Sequence, residues 1–317
     1  MRDPGGPGRP TSRVHPGWYL LAVTTELVDE VTPLWVGSRP VLGVRTDDGI
    51  RVYDGSCPHR GAHLGVGGRL LRGHVVCPFH GKGILLGERA DRRWCVREFD
   101  AIVVGDAVFI RLSATPEHDH GFPQTIREIA GTRAVVEGFT VPVRADPELI
   151  VENAFDADHF TAVHEVPRVA DMSSRSGPHG ELVIEGFFET KPLPWDDPAE
   201  GRTRMRFCAR AFSPTIVVTE LGPPEQAHLV LTGTVPSREG AVARVVYAIT
   251  PAAAGGAPSP TVLEPLVAGG RKAFRQDVAV WENLDLDATP RFDARDEHVL
   301  AFRRFCAGFT TAVRAAR

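Results

Sequence analysis

Two short loops in the first quarter of the chain constrain this sequence more than any other feature. They are Cys57-Pro58-His59-Arg60-Gly61 and Cys77-Pro78-Phe79-His80-Gly81. Residues 60 to 76 separate the inner ligand candidates, so the spacing is C-x-H-x17-C-x2-H. Each loop offers one thiolate and one imidazole from a tight Pro/Gly turn. Two such loops on adjacent hairpins can close on a binuclear iron–sulfur centre, with the thiolates on one iron and the imidazoles on the other. Neutral imidazoles raise the potential of such a cluster to roughly −150 to +300 mV, against about −400 mV for all-cysteine plant-type clusters. The competing reading is a structural Cys2His2 zinc site, but zinc spacing usually pairs Cys with Cys and His with His. His63 lies near the first loop but outside the pattern and reads as a surface or supporting residue. Cys95, Cys208 and Cys306 read as small buried apolar groups.

The surroundings of the loops are β-like from Trp18 to about Ser113. Short runs such as Trp18–Val23, Pro40–Arg45, Ile50–Tyr53, His74–Cys77, Trp94–Phe99 and Ala107–Leu112 alternate with glycine punctuation. Asp47-Asp48-Gly49 is a hairpin signal between two of them. Residues 1–15, rich in Gly, Pro and Arg, read as a disordered tail; with no hydrophobic core segment they do not read as a signal peptide. The expected first domain is all-β over 16–115, with Ala114–Pro123 as a polar linker.

The second domain, expected over 116–317, mixes types. Glu148–His164 is helix-prone, and segments near 181–190, 203–221, 226–236 and 241–250 read as antiparallel strands. Two Pro-bearing loops, 191–198 and 251–260, interrupt them and are candidate lids, although ordinary surface loops fit as well. Glu264–Leu284 and Asp293–Arg317 read as helices. Strands followed by packed helices make an α+β domain.

Composition narrows the partners. A formal charge of −4 gives no basic surface for nucleic acid or anionic membrane. No apolar run approaches the ~20 residues of a membrane helix. Five cysteines are too few and too scattered for a disulfide scaffold, which fits a cytoplasmic, reducing setting.

A second constellation follows the β-rich half. Residues 152–164 read ENAFDADHFTAVH. Asp156 and His159 share a helix face, whereas His159 and His164, five apart, would stand about 140° apart on a regular helix. Convergence of both histidines on one ion therefore needs a π-bulge or a helix break. Taken alone, the pattern also fits two histidines and some acids on a solvated helix face.

The two patterns together resemble the Rieske non-haem iron oxygenases. The likeness runs through GWYLLAVTTEL (17–27), CPHRGAHLGVGG (57–68) and CPFHGKGI (77–84). It implies a Rieske [2Fe–2S] domain held together by Cys57, His59, Cys77 and His80, followed by a helix-grip (START-like) catalytic domain. It also carries the pattern N-x2-D-x2-H-x4-H onto Asn153, Asp156, His159 and His164. By resemblance, His159 and His164 are two members of a 2-His-1-carboxylate facial triad for Fe(II), with open positions for O2 and substrate. Asp277, in FRQDVAVWEN (274–283), is the expected carboxylate, with Glu282 and Asp285 as rivals.

The resemblance further implies that Asp156 bridges the iron site to a Rieske histidine of a neighbouring subunit in a homotrimer. Electrons from NAD(P)H would arrive through a ferredoxin, a flavin reductase or both. The reaction would hydroxylate, desaturate, demethylate or cyclise a small lipophilic substrate. DADHFTAVH (156–164), RQDVAVWEN (275–283) and DEHVLAFRRFCAGF (296–309) are similar to 3-ketosteroid 9α-hydroxylases and cholesterol 7-desaturases. Phe155, Phe160 and Val163 flank the iron histidines and are candidate cavity walls. One departure stands out: the family often has Trp after the second His-Gly, where this chain has Lys82. The alternative is a Rieske electron carrier without oxygenase chemistry, against which the roughly 200 residues after the first domain argue.

Overall fold

A computed structural model of the chain describes residues 14–87, 93–113, 115–190, 203–222, 228–250, 256, 258–285 and 288–309. Most of the expected tail and the loop at 191–198 lie outside these residues, as does most of the loop at 251–260. His15 does not belong to a loose tail. It is buried, its Nε2 stands 2.7 Å from Thr215 Oγ1, and Gly17 N donates to its Nδ1 at 3.1 Å.

The first half contains ten strands: β1 (Trp18–Val23), β2 (Val31–Val36), β3 (Arg39–Thr46), β4 (Gly49–Asp54), β5 (Arg69–Leu71), β6 (His74–Val76), β7 (Gly83–Leu86), β8 (Cys95–Val96), β9 (Asp100–Val104) and β10 (Ala107–Arg111). They form three small sheets, ordered β1-β10-β9, β2-β3-β4 and β5-β6-β7-β8. The Asp47-Asp48 turn joins β3 to β4 with Thr46 opposite Gly49, as the hairpin signal predicts. The run expected at Trp94–Phe99 shortens to the two-residue β8. The continuous apolar run WYLLAV of β1 is buried on both faces. Tyr19, Leu21 and Ala22 join the core of the first half, while Trp18, Leu20 and Val23 pack outward against the second.

The second half begins with α1 (Phe122–Thr132), β11 (Ala134–Val143), α2 (Pro147–Glu152) and α3 (Ala157–Ala162). It continues with β12 (Arg168–Ser176), β13 (Leu182–Thr190), β14 (Thr203–Ser213), β15 (Ile216–Leu221), β16 (His228–Ser237) and β17 (Gly240–Ile249), then α4 (Pro260–Trp281) and α5 (Glu297–Ala307). The seven strands make one sheet ordered β11-β17-β16-β15-β14-β13-β12, every pair antiparallel. The segment read as one strand over 203–221 is a hairpin, β14 and β15, and β11, β12 and α1 are additions to the sequence reading.

Side chains alternate between the two faces of this sheet. Ile216, Val218, Leu229, Leu231, Val246 and Ala248 face β1 and α1. Phe139, Val245, Tyr247 and Ile249 face α4 through Phe274 and Trp281. A sheet closed around one long helix is the helix-grip arrangement. Gly270 makes the grip close, because a Cβ there would stand 2.1 Å from the Tyr247 hydroxyl.

The stretch read as a linker is pinned. It holds a 3-10 turn (Pro116–His118), and Asp119 accepts from Trp18 Nε1 at 2.7 Å and from Arg111 Nη1 at 3.0 Å. From Phe122 it becomes α1, whose Phe122, Ile126 and Ile129 are buried between the halves. Arg244 adds a bidentate pair to Glu26 at 2.6 and 3.1 Å, joining β17 to the turn after β1.

Candidate metal centres

The two Cys/His loops leave β4 and β6 and share one backbone frame despite their different internal spacing. In the first, Gly61 N donates to Cys57 O (2.8 Å) and Cys57 N to Ala62 O (2.8 Å); in the second, Gly81 N donates to Cys77 O (2.9 Å) and Cys77 N to Lys82 O (2.8 Å). Each turn closes through a left-handed glycine, Gly61 at φ 74° and Gly81 at φ 65°, a conformation that costs other residues strain. The frames bring His59 Nδ1 to 3.2 Å from His80 Nδ1. Two nitrogens on one tetrahedral ion with bonds of about 2.1 Å would stand about 3.4 Å apart, so the pair fits a shared metal.

The sulfur side of the site lies inward. Cys57 and Cys77 are buried in the core formed by Leu42, Leu64, Val75 and Ile84, and burial pushes the Cys57 thiol up. The histidine side lies outward, with His80 exposed and His59 half-buried. His63 supports the first loop: its Nε2 stands 3.1 Å from Leu34 O and its Nδ1 accepts from Gly65 N at 3.0 Å.

Lys82 brings no aromatic cover, but an aromatic ring reaches the same place from the bend before β8. The Trp94 ring meets His59 edge-on with centroids 5.6 Å apart, and Lys82 Nζ stands 4.7 Å from the Trp94 centroid. Desolvation and then His80 lower the His59 pKa, and the cations Lys82, Arg60 and Arg93 add to the effect. Trp94 had no part in the sequence motif; only the fold brings it to the cluster loops.

The second site is built on a broken helix. Asp156 (φ −98°, ψ 101°) interrupts the helix-prone run after a 3-10 turn at Asn153–Phe155. Its carboxylate then caps α3 by accepting from Asp158 N (3.1 Å) and His159 N (3.3 Å). α3 stops at Ala162, so His164 is freed from helical spacing and its ring centroid lies 5.1 Å from that of His159. This break resolves the angular conflict in the sequence.

Ligand atoms of His159, His164 and Asp277 lie within 4.8 Å of one another. Asp277 projects from α4 and is buried. Glu282 is engaged elsewhere, with Arg144 at 3.1 Å, and Asp285 lies exposed beyond the helix end. Asn153 lines the cavity beside His159.

The hydrogen bonds assign the free nitrogens. His159 Nδ1 is 2.5 Å from Asp156 O, and His164 Nδ1 is 3.2 Å from Gln276 Oε1. A carbonyl oxygen only accepts, so each Nδ1 carries the proton and each Nε2 is left for a metal. His164 Nε2 then stands 3.2 Å from Asp277 Oδ1, a contact without hydrogen-bond alignment that leaves this buried oxygen without a donor. Two acceptors facing one another call for a positive charge between them. Asp277 raises the His164 pKa, the same preference for positive charge at this place that a divalent ion would meet. Burial lowers the His159 pKa and keeps that ring neutral. The residues present therefore fit a mononuclear metal. Gln276 was quoted in the sequence motif, but its orienting role shows only in three dimensions.

The three side chains open on an apolar cavity of about 420 Å³ between the sheet and α4. Phe160 lines it with Phe188, Phe207 and Phe274. Phe155 does not; it is fully buried and stacked on Phe302 at 5.0 Å. Val163 is likewise not part of the wall described by the cavity. No helix among the described residues is long and apolar enough to cross a membrane.

Comparison with known proteins finds relatives of both halves of the chain. A Rieske [2Fe–2S] domain profile matches residues 17–85, and a profile for the 3-ketosteroid 9α-hydroxylase C-terminal domain matches 115–309, more than half of the chain. Cholesterol 7-desaturase nvd of Bombyx mori is 24% identical over 324 residues, covering 92% of this chain and 69% of the relative. Aminopyrrolnitrin oxygenase PrnD of Pseudomonas fluorescens is 28% identical, covering 52% of this chain and 50% of its own length. Dicamba monooxygenase bound to 3,6-dichlorosalicylic acid has the same fold, with a TM-score of 0.71, 19% identity and coverage of 94% of this chain and 98% of that one. The chain belongs to the Rieske non-haem iron oxygenases, as an alpha-type component that joins a Rieske [2Fe–2S] domain to a 3-ketosteroid 9α-hydroxylase-type catalytic domain.

Proposed function

We propose that this protein is a monooxygenase-type oxidoreductase in which Cys57, His59, Cys77 and His80 hold the cluster, while His159, His164 and Asp277 hold the mononuclear iron. The observation that carries this reading is the convergence of His159, His164 and Asp277, with ligand atoms within 4.8 Å of one another and His164 Nε2 facing the orphaned Asp277 oxygen, at the wall of an apolar cavity. When bound, the cluster supplies single electrons and the iron supplies O2 activation.

The chain's own residues supply positioning. Asp156 O and Gln276 Oε1 hold the protons on the two Nδ1 atoms and fix the ring planes. Asp277 contributes the negative charge that retains a divalent ion. The phenylalanine-rich wall excludes water and receives a lipophilic substrate; hydroxylation, desaturation, demethylation and cyclisation are all open to such a site. The relatives that act on sterols support a bulky polycyclic substrate.

Three further parts of the proposal concern assembly. The chain divides near residues 115/116 into a cluster domain and a catalytic domain. It works as a homotrimer in the cytoplasm, with Asp156 as the bridge to a Rieske histidine of the neighbouring subunit; the outward position of His80 supports such a contact. A ferredoxin, a flavin reductase or both deliver electrons from NAD(P)H.

The test is product formation from a panel of polycyclic lipophilic compounds with a surrogate reductase, NADH and O2, analysed by mass spectrometry. Wild-type protein is expected to oxidise at least one compound and His159→Ala none. Full product formation by His159→Ala would overturn the assignment.

A further inference from the structure

The cavity wall opposite α4 holds polar groups that the metal centre does not use. β15 and β16 place Leu221 opposite His228, Thr219 opposite Val230 and Val217 opposite Thr232. All six side chains line the cavity. Thr219 is the diagonal neighbour of both His228 and Thr232, about 7–8 Å away in an antiparallel ladder. The three polar side chains therefore form one row across an otherwise apolar surface. Among the described residues none of the three has a side-chain hydrogen-bond partner.

Strand register sets the direction of the row. Tyr247, opposite Val230, donates its hydroxyl to Leu266 O at 3.1 Å and lies over Gly270. On a helix rising 1.5 Å per residue, Leu266 to Gly270 stand roughly 10–16 Å from Asp277. Thr232, opposite Val245, lies one step nearer the metal end: Val245 is also opposite Phe139, whose ring meets Phe274 at 5.6 Å, one turn before Asp277. His228 lies one step past the Tyr247 level, level with Leu221 and, one strand further, with Phe207, which meets Phe160 at 5.3 Å.

The chemistry of the row is neutral. Burial, with Arg133 adding to it, lowers the His228 pKa, so its ring offers one donor and one acceptor. The threonine hydroxyls offer both as well. Among the described residues that line the cavity, Asp277 is the one carboxylate or cation, and it belongs to the metal centre. Arg133 acts on His228 from outside this lining. The lining around the row thus offers an ammonium no counter-charge, whereas an uncharged oxygen finds matched donors and acceptors.

We propose that His228, with Thr219 and Thr232, receives a carbonyl or hydroxyl oxygen of an elongated, neutral, mostly hydrocarbon substrate. By anchoring that oxygen on the sheet wall opposite α4, the row selects which carbon lies against the metal centre. This inference rests on the oxygenase reading of the same cavity.

The test is titration calorimetry on the iron-loaded protein, without O2 or reductase, using 5α-androstan-3-one, its oxygen-free parent 5α-androstane and androstane-3-carboxylate in one cosolvent. The ketone is expected to bind wild type about tenfold more tightly than the hydrocarbon, a factor of the size one net hydrogen bond supplies, and more tightly than the carboxylate. His228→Phe and Thr219→Val should erase the preference for the ketone with little change for the hydrocarbon, while His228→Gln, which keeps a donor and an acceptor, should retain most of it. Cluster absorbance reports that each variant is folded. Equal affinities for ketone and hydrocarbon, no binding of either, or an unchanged preference in both apolar variants would overturn the inference. Binding needs no turnover, so a ketone preference without product under O2 and reductase would count against the oxygenase reading alone. Product formation without the preference would count against the anchoring row alone.

Discussion

Nε2 of His164 stands 3.2 Å from Oδ1 of Asp277, while the other ring nitrogen of His164 is held 3.2 Å from Gln276 Oε1. The carboxylate and the imidazole lone pair face each other in a buried place where neither has another partner. This arrangement makes Asp277 the residue on which metal retention should depend most. Asp277→Ala is expected to lose the mononuclear iron and keep the cluster, so iron per chain should fall by about one third while the visible spectrum is unchanged. Loss of the cluster spectrum with retention of the third iron would contradict the assignment.

Gln276 contacts His164 and lies outside the proposed ligand set. Gln276→Leu should weaken iron binding about 10–100-fold, the usual cost of removing the acceptor behind a ligating histidine. Competition with a chelator of known affinity measures this. Gln276→Glu, which keeps an acceptor, should recover most of the affinity; equal losses in both variants would point to packing and not to orientation.

Asp156→Asn separates capping from bridging. The amide oxygen can still accept from Asp158 N and His159 N, so the helix cap should survive and the unfolding midpoint should change little. If the carboxylate serves the route between subunits, the cluster should remain reducible by dithionite while turnover falls by orders of magnitude. Turnover at the wild-type rate would remove Asp156 from that route.

Lys82 should tune the cluster electrostatically. A positive charge near His59 favours the reduced, more negative cluster, so Lys82→Gln should lower the midpoint potential. The shift is expected on the order of tens of millivolts, because the site is partly screened by solvent. Protein-film voltammetry reads it directly. An upward shift would mean that cover by Trp94, and not charge, dominates the effect of residue 82.

His15 predicts acid sensitivity. Gly17 N donates to its Nδ1, so the proton sits on Nε2 and is given to Thr215 Oγ1. Burial lowers its pKa to about 3 from 6.5. Between those values the unfolded chain binds a proton that the folded chain does not, so stability falls as pH falls through this window. His15→Gln should lose less stability than wild type between pH 6.5 and 4. The difference in unfolding midpoint between the two should therefore change in the variant's favour on acidification; a pH-independent difference would contradict it.

The sequence carried the chemistry better than the architecture around it. The proposed ligand residues were legible because metal ligation restricts residue type and spacing: the structure brings the two Cys/His loops together, and His159 and His164 together with Asp277. The different Cys-to-His spacing concealed a common frame: both loops run five residues from cysteine to glycine, and only the place of the histidine within the turn differs. The supporting residues were not legible. Trp94 reaches His59 from the bend before β8, and Gln276 meets His164 across 112 positions of sequence. The polar row was hidden in the strands for a similar reason. Thr219 and His228 become neighbours only through the register of β15 and β16, and residues 203–221 looked like one strand. Phe155 and Phe160 differ by five positions, and only the break at Asp156 decides that one is core and the other cavity wall.

The central claim is that one protein couples the cluster to a His159/His164/Asp277 iron. Single-turnover stopped flow tests it most directly: dithionite-reduced protein, freed of reductant and loaded with an oxidisable ligand, is mixed with O2 while cluster absorbance and product are followed together. Wild type should reoxidise its cluster in step with product, whereas Asp277→Ala and His159→Ala, with clusters intact, should reoxidise slowly and form none. Product formed by either variant at the wild-type rate would contradict the account.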